Sequence, residues 1–531
     1  MSAISYDHLP MEWVGNWVDS WARRCPAREA VLDSGSGERF SYGDLGRRAE
    51  RTGTWLLDEL ALAPGDPVCL ISRNRIEALD LYLACGKAGL VLAPLSFRLR
   101  ARELNDLLAR IRPRVLIHEA CFQPLVDTLE VPDSVRSTVC MTDGAGGLEQ
   151  MLRTISPRDI NRPNAMSEPF LYIHTGGTTA TPKVCVVPFR QMIWNSFDLM
   201  VVGGGTNDSR ELITFPFFHI GGWNSLTPIL HGGGFAVLMR EFDAGEVLRL
   251  VDAEQIRHFG GVEAMFRFIL EHPDFPRSGL TSLERITSAG APCAEPVMRS
   301  FIDRGIAITQ AYGQTEAGPS NFIHGGGDND LESLWQHNRT VGTSMPHCDY
   351  RIVNQETGEA LPPESVGELW MRSPHNFDGY LDDPDRTRSV VTDGGWIRSG
   401  DLALEDGEGY VRIVGRVDNM FISGGENVSP EEIEAVLLAH PDVAQAGVVA
   451  LSDRRWGHVP GAAVVPAAPS AGDALAEVLR GYCRESLAGF RQPRELRLVS
   501  ELPVTGAGKL DRAALRELFH SPANREGGND G

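Results

Sequence analysis

Thr175-Gly176-Gly177-Thr178-Thr179-Ala180-Thr181-Pro182-Lys183 is the stretch of this chain that says most about its fold and chemistry. Two glycines allow close backbone approach, and four threonine hydroxyls with free amides can wrap a polyphosphate. Pro182 precedes the lysine where a Walker A loop needs glycine, so a P-loop nucleotidase is excluded. No nucleophile elbow, no H-E-x-x-H pair and no convincing G-x-G-x-x-G fingerprint accompanies it. Around this loop, apolar runs such as Val68 to Ser72 and Val115 to His118 alternate with helical patterns such as Arg102 to Arg110. That alternation predicts an α/β protein of mixed sheets layered with helices.

The chain has 531 residues, too many for one ordinary domain. Fifty basic against 71 acidic side chains leave a formal charge of −21. Such a field repels phosphate backbones and anionic lipid, so nucleic acid and membrane are not the expected partners. Nine scattered cysteines without a C-x-x-C pair exclude a disulfide framework and a structural zinc site. The start of the chain shows no basic region followed by an apolar run, and Leu81 to Leu95 is too short to span a bilayer. A cytoplasmic enzyme with reduced thiols is expected.

A seam lies near residues 417–419. It divides a large N-terminal domain (1–416) from a small α+β C-terminal domain (420–531). The small domain opens with a helix signal: Ser429 as N-cap, Pro430 in the first turn and Glu432 completing a capping box. Glycine clusters at Gly203 to Gly205, Gly232 to Gly234 and Gly325 to Gly327 read as loops, and the tail after Ser521 is polar.

Seven further motifs follow the phosphate loop in order. They are Phe215-Pro-Phe-Phe-His219-Ile-Gly-Gly222, Ala311-Tyr312-Gly313-Gln314-Thr315-Glu316, Gly367-Glu-Leu-Trp370 and Ser399-Gly400-Asp401. Then come Gly415-Arg416-Val417-Asp418, Gly424-Gly425-Glu426-Asn427 and Pro503-Val-Thr-Gly-Ala-Gly-Lys509. In this order and spacing the set resembles the adenylate-forming superfamily of acyl-CoA synthetases, carrier-protein adenylation domains and luciferases. In motif style it is closest to fatty-acid or aryl-acid CoA ligases. The resemblance runs from about Tyr42 to Leu515.

The resemblance implies ATP, Mg²⁺ and CoA as cofactors and a small carboxylic acid as substrate. Thr175, Gly176, Gly177, Thr178, Thr179 and Lys183 would hold the β- and γ-phosphates. Tyr312, within Ala311-Tyr312-Gly313, would stack on adenine against Gly290-Ala291-Pro292. Thr315 would touch the α-phosphate and Glu316 the Mg²⁺ ion, which suits one or two carboxylates plus phosphate oxygens. Asp401 would accept from the ribose hydroxyls, with Arg416 anchoring the same region. Lys509 would stabilise charge developing during carboxylate attack, and Asp418 would be the hinge.

The acyl pocket implied by the resemblance draws on His219, Trp223, Gly261, Ser288 and Gly290. A CoA tunnel would use Gly424 and Gly425, with Trp456 and Phe490 against the nucleotide; core packing is the other reading of these two aromatics. Ala180 and Val184 depart from the family's glycines and disfavour positive-φ backbone there. The expected reaction is ATP-dependent formation of an acyl-adenylate with pyrophosphate release, then transfer to CoA. A carrier-protein thiol, an amine or a small nucleophile such as nitrite remain open as acceptors, and so do a monomer and a homodimer.

Overall fold

The structure is a computed structural model that describes residues 12–13, 17–142, 148–175, 183–324, 330–423, 426–468, 473–504 and 510–520. The chain forms two compact units. The first comprises Met1–Cys293, Phe301–Tyr350 and Met371–Arg398; the second comprises Ala294–Ser300, Arg351–Trp370 and Ser399–Gly531.

Among the described residues the first unit carries two large sheets and a two-stranded pair, Glu12–Trp13 with Asn164–Ala165. In the six-stranded sheet the order is Lys183–Pro188, Pro169–Thr175, Val91–Pro94, Pro67–Ile71, Val115–Glu119 and Ser137–Met141. All neighbours are parallel except the edge pair Lys183–Pro188 and Pro169–Thr175. Parallel strands must be covered on both faces, which is why Val115–Glu119 is buried at every position. The covering helix Ile76–Ala88 is likewise buried along its whole length. Its Lys87 is fully buried because both Asp19 carboxylate oxygens accept from the ammonium, at 2.8 and 2.9 Å.

The nine-stranded sheet has a parallel centre and antiparallel edges. The expectation of mixed sheets between helices is met. Val184 lies in a regular strand paired with His174, so its side chain costs the backbone nothing.

The site is framed by strands β1 (Pro169–Thr175) and β2 (Lys183–Pro188), helices α1 (Phe189–Gly203) and α2 (Ile220–Gly232), and strands β3 (Arg285–Ala289), β4 (Ala307–Gln314) and β5 (Gly318–Ile323). The second unit carries its own candidate pair, Asp401 and Arg416, on β6 (Ile397–Glu405) and β7 (Val411–Arg416), with α3 (Pro430–Leu438) following in the chain. Helix α1 ends at Gly203 and α2 at Gly232, so the first two glycine clusters are helix stops. The third cluster lies outside the described residues.

Strands Val443–Asp453 and Gly457–Pro466 form the long hairpin of the second unit. One face buries Val448, Ala462 and Val464 with Ile433 and Leu437 of α3; the other buries Val449, Leu451 and Ala463 with Leu515 and Phe519. This period-two split lets one hairpin serve two small cores.

Helix α3 begins at Pro430 with Ser429 as N-cap, as the sequence predicts, but the capping box is absent. The Ser429 hydroxyl lies 2.8 Å from the Val414 carbonyl and 2.8 Å from a Glu431 carboxylate oxygen. A long-range acceptor on β7 has displaced the local backbone partner.

Candidate active site

The register of β1 and β2 pairs Thr175 with Lys183, holding the two ends of the phosphate-loop motif side by side. Gly176, Gly177, Thr178 and Thr179 lie outside the described residues. Lys183 Nζ sits 5.3 Å from the centroid of the Tyr380 ring. Tyr380 in turn donates its hydroxyl to Glu316 Oε1 at 2.7 Å. Burial first, then the Glu316 charge, pushes the Tyr380 phenol far above its ordinary range, so it stays a donor. Thr315 is buried, and its carbonyl accepts from Gln191 Nε2 at 2.7 Å.

Parallel register gathers the next candidates at the carboxyl ends of neighbouring strands. Gly261 pairs with Ser288, and Ala289 with Ala311. Gly290, Ala291 and Pro292 follow β3 as an exposed segment, and Tyr312 and Gly313 follow Ala311 on β4. Open α/β sheets bind ligands at these carboxyl ends. At Gly313 a Cβ would lie 2.4 Å from the Pro319 carbonyl oxygen, so the bulge between β4 and β5 admits only glycine. The Tyr312 hydroxyl accepts from Gln314 Nε2 at 3.2 Å.

His219 is the exposed N-cap of α2, and its Nδ1 accepts from the Gly221 N–H at 3.1 Å. The sequence reading passed over His174, one residue before the loop. The Ser96 N–H donates to its Nε2 at 3.0 Å, which fixes a neutral ring protonated on Nδ1. Burial, with the His219 charge adding to it, lowers the His174 pKa to about 4.

Trp223 is fully buried and stacks between Tyr82 and Phe217, with centroids 4.4 and 4.2 Å apart. It is therefore part of the aromatic core. At Gly261 a Cβ would lie 3.0 Å from the Phe266 ring, and Ser288 is buried beside it in register.

In the second unit, Asp401 on β6 pairs with Arg416 on β7, and Arg416 Nη1 donates to Asp401 Oδ1 at 2.8 Å. Asp401 is only 6% exposed. Glu368 explains the Gly367-Glu-Leu-Trp370 motif. Its carboxylate accepts from the Gly400 N–H at 3.1 Å and from the Trp370 indole at 2.9 Å, fixing the turn that presents Asp401.

Asp418 lies exposed in the turn after β7, where the Val417 N–H donates to the Gly400 carbonyl at 2.9 Å. Trp456 is 38% exposed, with the Arg455 guanidinium 4.9 Å from its ring. Phe490 packs against the core that contains Val428 and Ile433. Gly424, Gly425 and Lys509 lie outside the described residues.

The donor chemistry fits the group the motifs imply. Glu316 offers a hard carboxylate, and Thr175 and Thr315 offer hydroxyls, as a Mg²⁺-bound phosphate requires. In the first unit a lysine-bearing strand hairpin lies beside the Thr315–Glu316 pair, and in the second a nearly buried aspartate is tied to an arginine.

The chain belongs to the AMP-binding enzyme family. That family matches residues 18–381, and the AMP-binding enzyme C-terminal domain matches residues 432–509. The chain is 33% identical over 507 residues to a feruloyl-CoA synthase of an Amycolatopsis species, covering 95% of this chain and 99% of that protein. It is 32% identical over 518 residues to the indoleacetate–CoA ligase of Aromatoleum aromaticum, covering 95% and 98%. Among solved structures, ATP-bound MatB from Rhodopseudomonas palustris matches with a TM-score of 0.85 at 25% identity, covering 96% and 99%.

The protein is an acyl-CoA synthetase-like, AMP-forming ligase that uses ATP and CoA. No helix among the described residues is long and apolar enough to cross a membrane.

Proposed function

We propose that the substrate is an aromatic carboxylic acid, activated as its adenylate with pyrophosphate release and then transferred to CoA. The observation that carries the activation half is the Lys183–Tyr380–Glu316 arrangement, which sets a cation and a carboxylate on one aromatic residue beside the phosphate-loop strands. Full-length similarity to a feruloyl-CoA synthase and an indoleacetate–CoA ligase supports the aromatic acid.

In this reading Thr175, Lys183 and the loop between them bind the β- and γ-phosphates, and Glu316 holds Mg²⁺. The metal supplies charge neutralisation at the phosphates. Tyr312 packs on adenine against Gly290, Ala291 and Pro292, Asp401 accepts from the ribose hydroxyls, and Arg416 orients Asp401. His219, Gly261, Ser288 and Gly290 line the space for the acid, backed by Trp223. Lys509 stabilises the charge that builds up as the carboxylate attacks. Rotation at Asp418 then withdraws Lys509 and brings Gly424 and Gly425 to the adenylate, so that the CoA thiol attacks it and AMP leaves. Trp456 and Phe490 border the CoA nucleotide.

The test is pyrophosphate release over a panel of hydroxycinnamic, indoleacetic, benzoic and medium-chain fatty acids, each with and without CoA. The fastest release is expected with an aryl acid, and CoA is expected to accelerate steady-state turnover. A fatty acid at the top of the panel refutes the aromatic pocket. A turnover rate flat in CoA refutes the acceptor and points to an amine, a carrier-protein thiol or nitrite.

A further inference from the structure

The segment from Phe377 to Leu381 is laced to the phosphate-loop strand. The Leu381 N–H donates to the Val184 carbonyl at 2.8 Å, the Val186 N–H to Gly379 at 2.9 Å, and the Asp378 N–H to Val186 at 3.0 Å. The same segment reaches the acidic motif, where the Phe377 N–H donates to the Glu316 carbonyl at 3.0 Å.

Gly379 adopts φ +113°, and a Cβ there would lie 2.8 Å from Thr387 Cγ2. Thr387 Oγ1 accepts from the Tyr380 N–H at 2.9 Å. The turn is thus pinned by its own glycine and by a neighbouring threonine, and the Phe377 ring packs edge-on at 5.1 Å. The Tyr380 side chain has little freedom. Its hydroxyl donates to the Glu316 carboxylate at 2.7 Å, and the Lys183 ammonium lies 5.3 Å from the ring centroid.

We propose that Tyr380 is a positioning residue for the MgATP end of the site. Its hydroxyl fixes the orientation of the Glu316 carboxylate, and its ring fixes the Lys183 ammonium. The separation of metal ligand and phosphate cation is therefore set before the nucleotide arrives. This rests on the reading of Glu316 as the Mg²⁺ ligand and Lys183 as a phosphate contact.

The experiment compares MgATP and AMP binding to the full-length wild type, Tyr380→Phe, Tyr380→Leu and Glu316→Gln by calorimetry. Mn²⁺ binding with a non-hydrolysable ATP analogue is followed by electron paramagnetic resonance. Tyr380→Phe keeps the ring and removes one hydrogen bond to a charged acceptor, so MgATP and Mn²⁺ binding should weaken roughly tenfold. AMP affinity, the KM for the acid and the thermal midpoint should stay at wild-type values. Tyr380→Leu, which also loses the cation–π contact, should be weaker again.

Equal weakening of AMP and MgATP, or no change in either, overturns the proposal. So does a drop in thermal midpoint with unchanged Mn²⁺ binding, which marks a purely structural tyrosine. If Glu316→Gln leaves Mn²⁺ binding intact, the metal reading of Glu316 falls and takes this inference with it. If Glu316→Gln abolishes binding while Tyr380→Phe does not weaken it, the inference alone falls.

Discussion

His174 should make the stability of the first unit depend on pH, with a size that follows from its surroundings. Its Nε2 accepts from the Ser96 N–H, so protonation would turn that acceptor into a donor facing a donor. An ordinary histidine titrates near 6.5, whereas burial and the His219 charge hold His174 at about 4. Because the folded value lies below the unfolded one, the unfolded chain takes the proton first as pH falls. The stability is therefore fully present above about pH 6.5 and is lost progressively towards about pH 4. Going from about pH 7.5 to about pH 5, this one residue removes about 2 kcal/mol.

The assay is urea unfolding of wild type and His174→Gln at both pH values, following the transition that reports the first unit. Glutamine keeps an acceptor for the Ser96 N–H but does not titrate, so the variant should lose about 2 kcal/mol less than the wild type over that range. His231, which burial pushes to about 3, is present in both proteins and cancels in the difference. Identical pH dependence in the two proteins would refute the reasoning.

Three further outcomes test the assigned roles. Lys509→Ala should cut adenylate formation by roughly 10²-fold or more while sparing thiolysis of a supplied adenylate; equal losses in both assays would undo the assignment. Asp401→Ala should raise the KM for ATP by roughly tenfold or more through lost charge-assisted hydrogen bonds, leaving the KM for the acid unchanged in initial-rate measurements; an ATP KM within twofold of the wild type removes Asp401 from the ribose site. Gly425→Leu should lose thioester formation but keep pyrophosphate release, and Trp456→Ala should mainly raise the KM for CoA; a Trp456→Ala enzyme silent towards CoA would leave the nucleotide contact without support.

What the sequence displayed was whatever local periodicity and short-range chemistry determine. Arg102 to Arg110 reads as a helix, and the helix spans Ala101–Ile111, because its apolar positions face one buried side. Pro430 marks a helix start because its fixed φ suits the first turn. The failures share one physical cause, a partner distant in sequence. Ser429 turns its hydroxyl to the Val414 carbonyl instead of accepting from a backbone N–H of its own helix, and Tyr380 acquires its role from a carboxylate 64 positions earlier. His174 looks like an ordinary strand residue until Ser96, 78 positions away, supplies the donor that fixes its tautomer.

The unit boundary follows the same rule. Residues Ala294–Ser300 and Arg351–Trp370 group with the second unit although they precede the seam near residues 417–419 in sequence. Glu368, in the second of these segments, holds the Gly400 turn that presents Asp401. The boundary between the units therefore does not coincide with the break in motif spacing. A truncation at residue 416 would keep Asp401 and Arg416 in the fragment but would strip away Asn419, Ser429 and Glu431. Ser429 touches the Val414 carbonyl, and Asn419 donates to Glu431 at 2.6 Å. Strand β7 would lose the packing that orders Arg416, so the 1–416 fragment should bind AMP more weakly than the full chain even though every residue assigned to AMP is present. Equal AMP affinity in equilibrium dialysis would show instead that the Asp401–Arg416 pair is held by β6 and Glu368 alone.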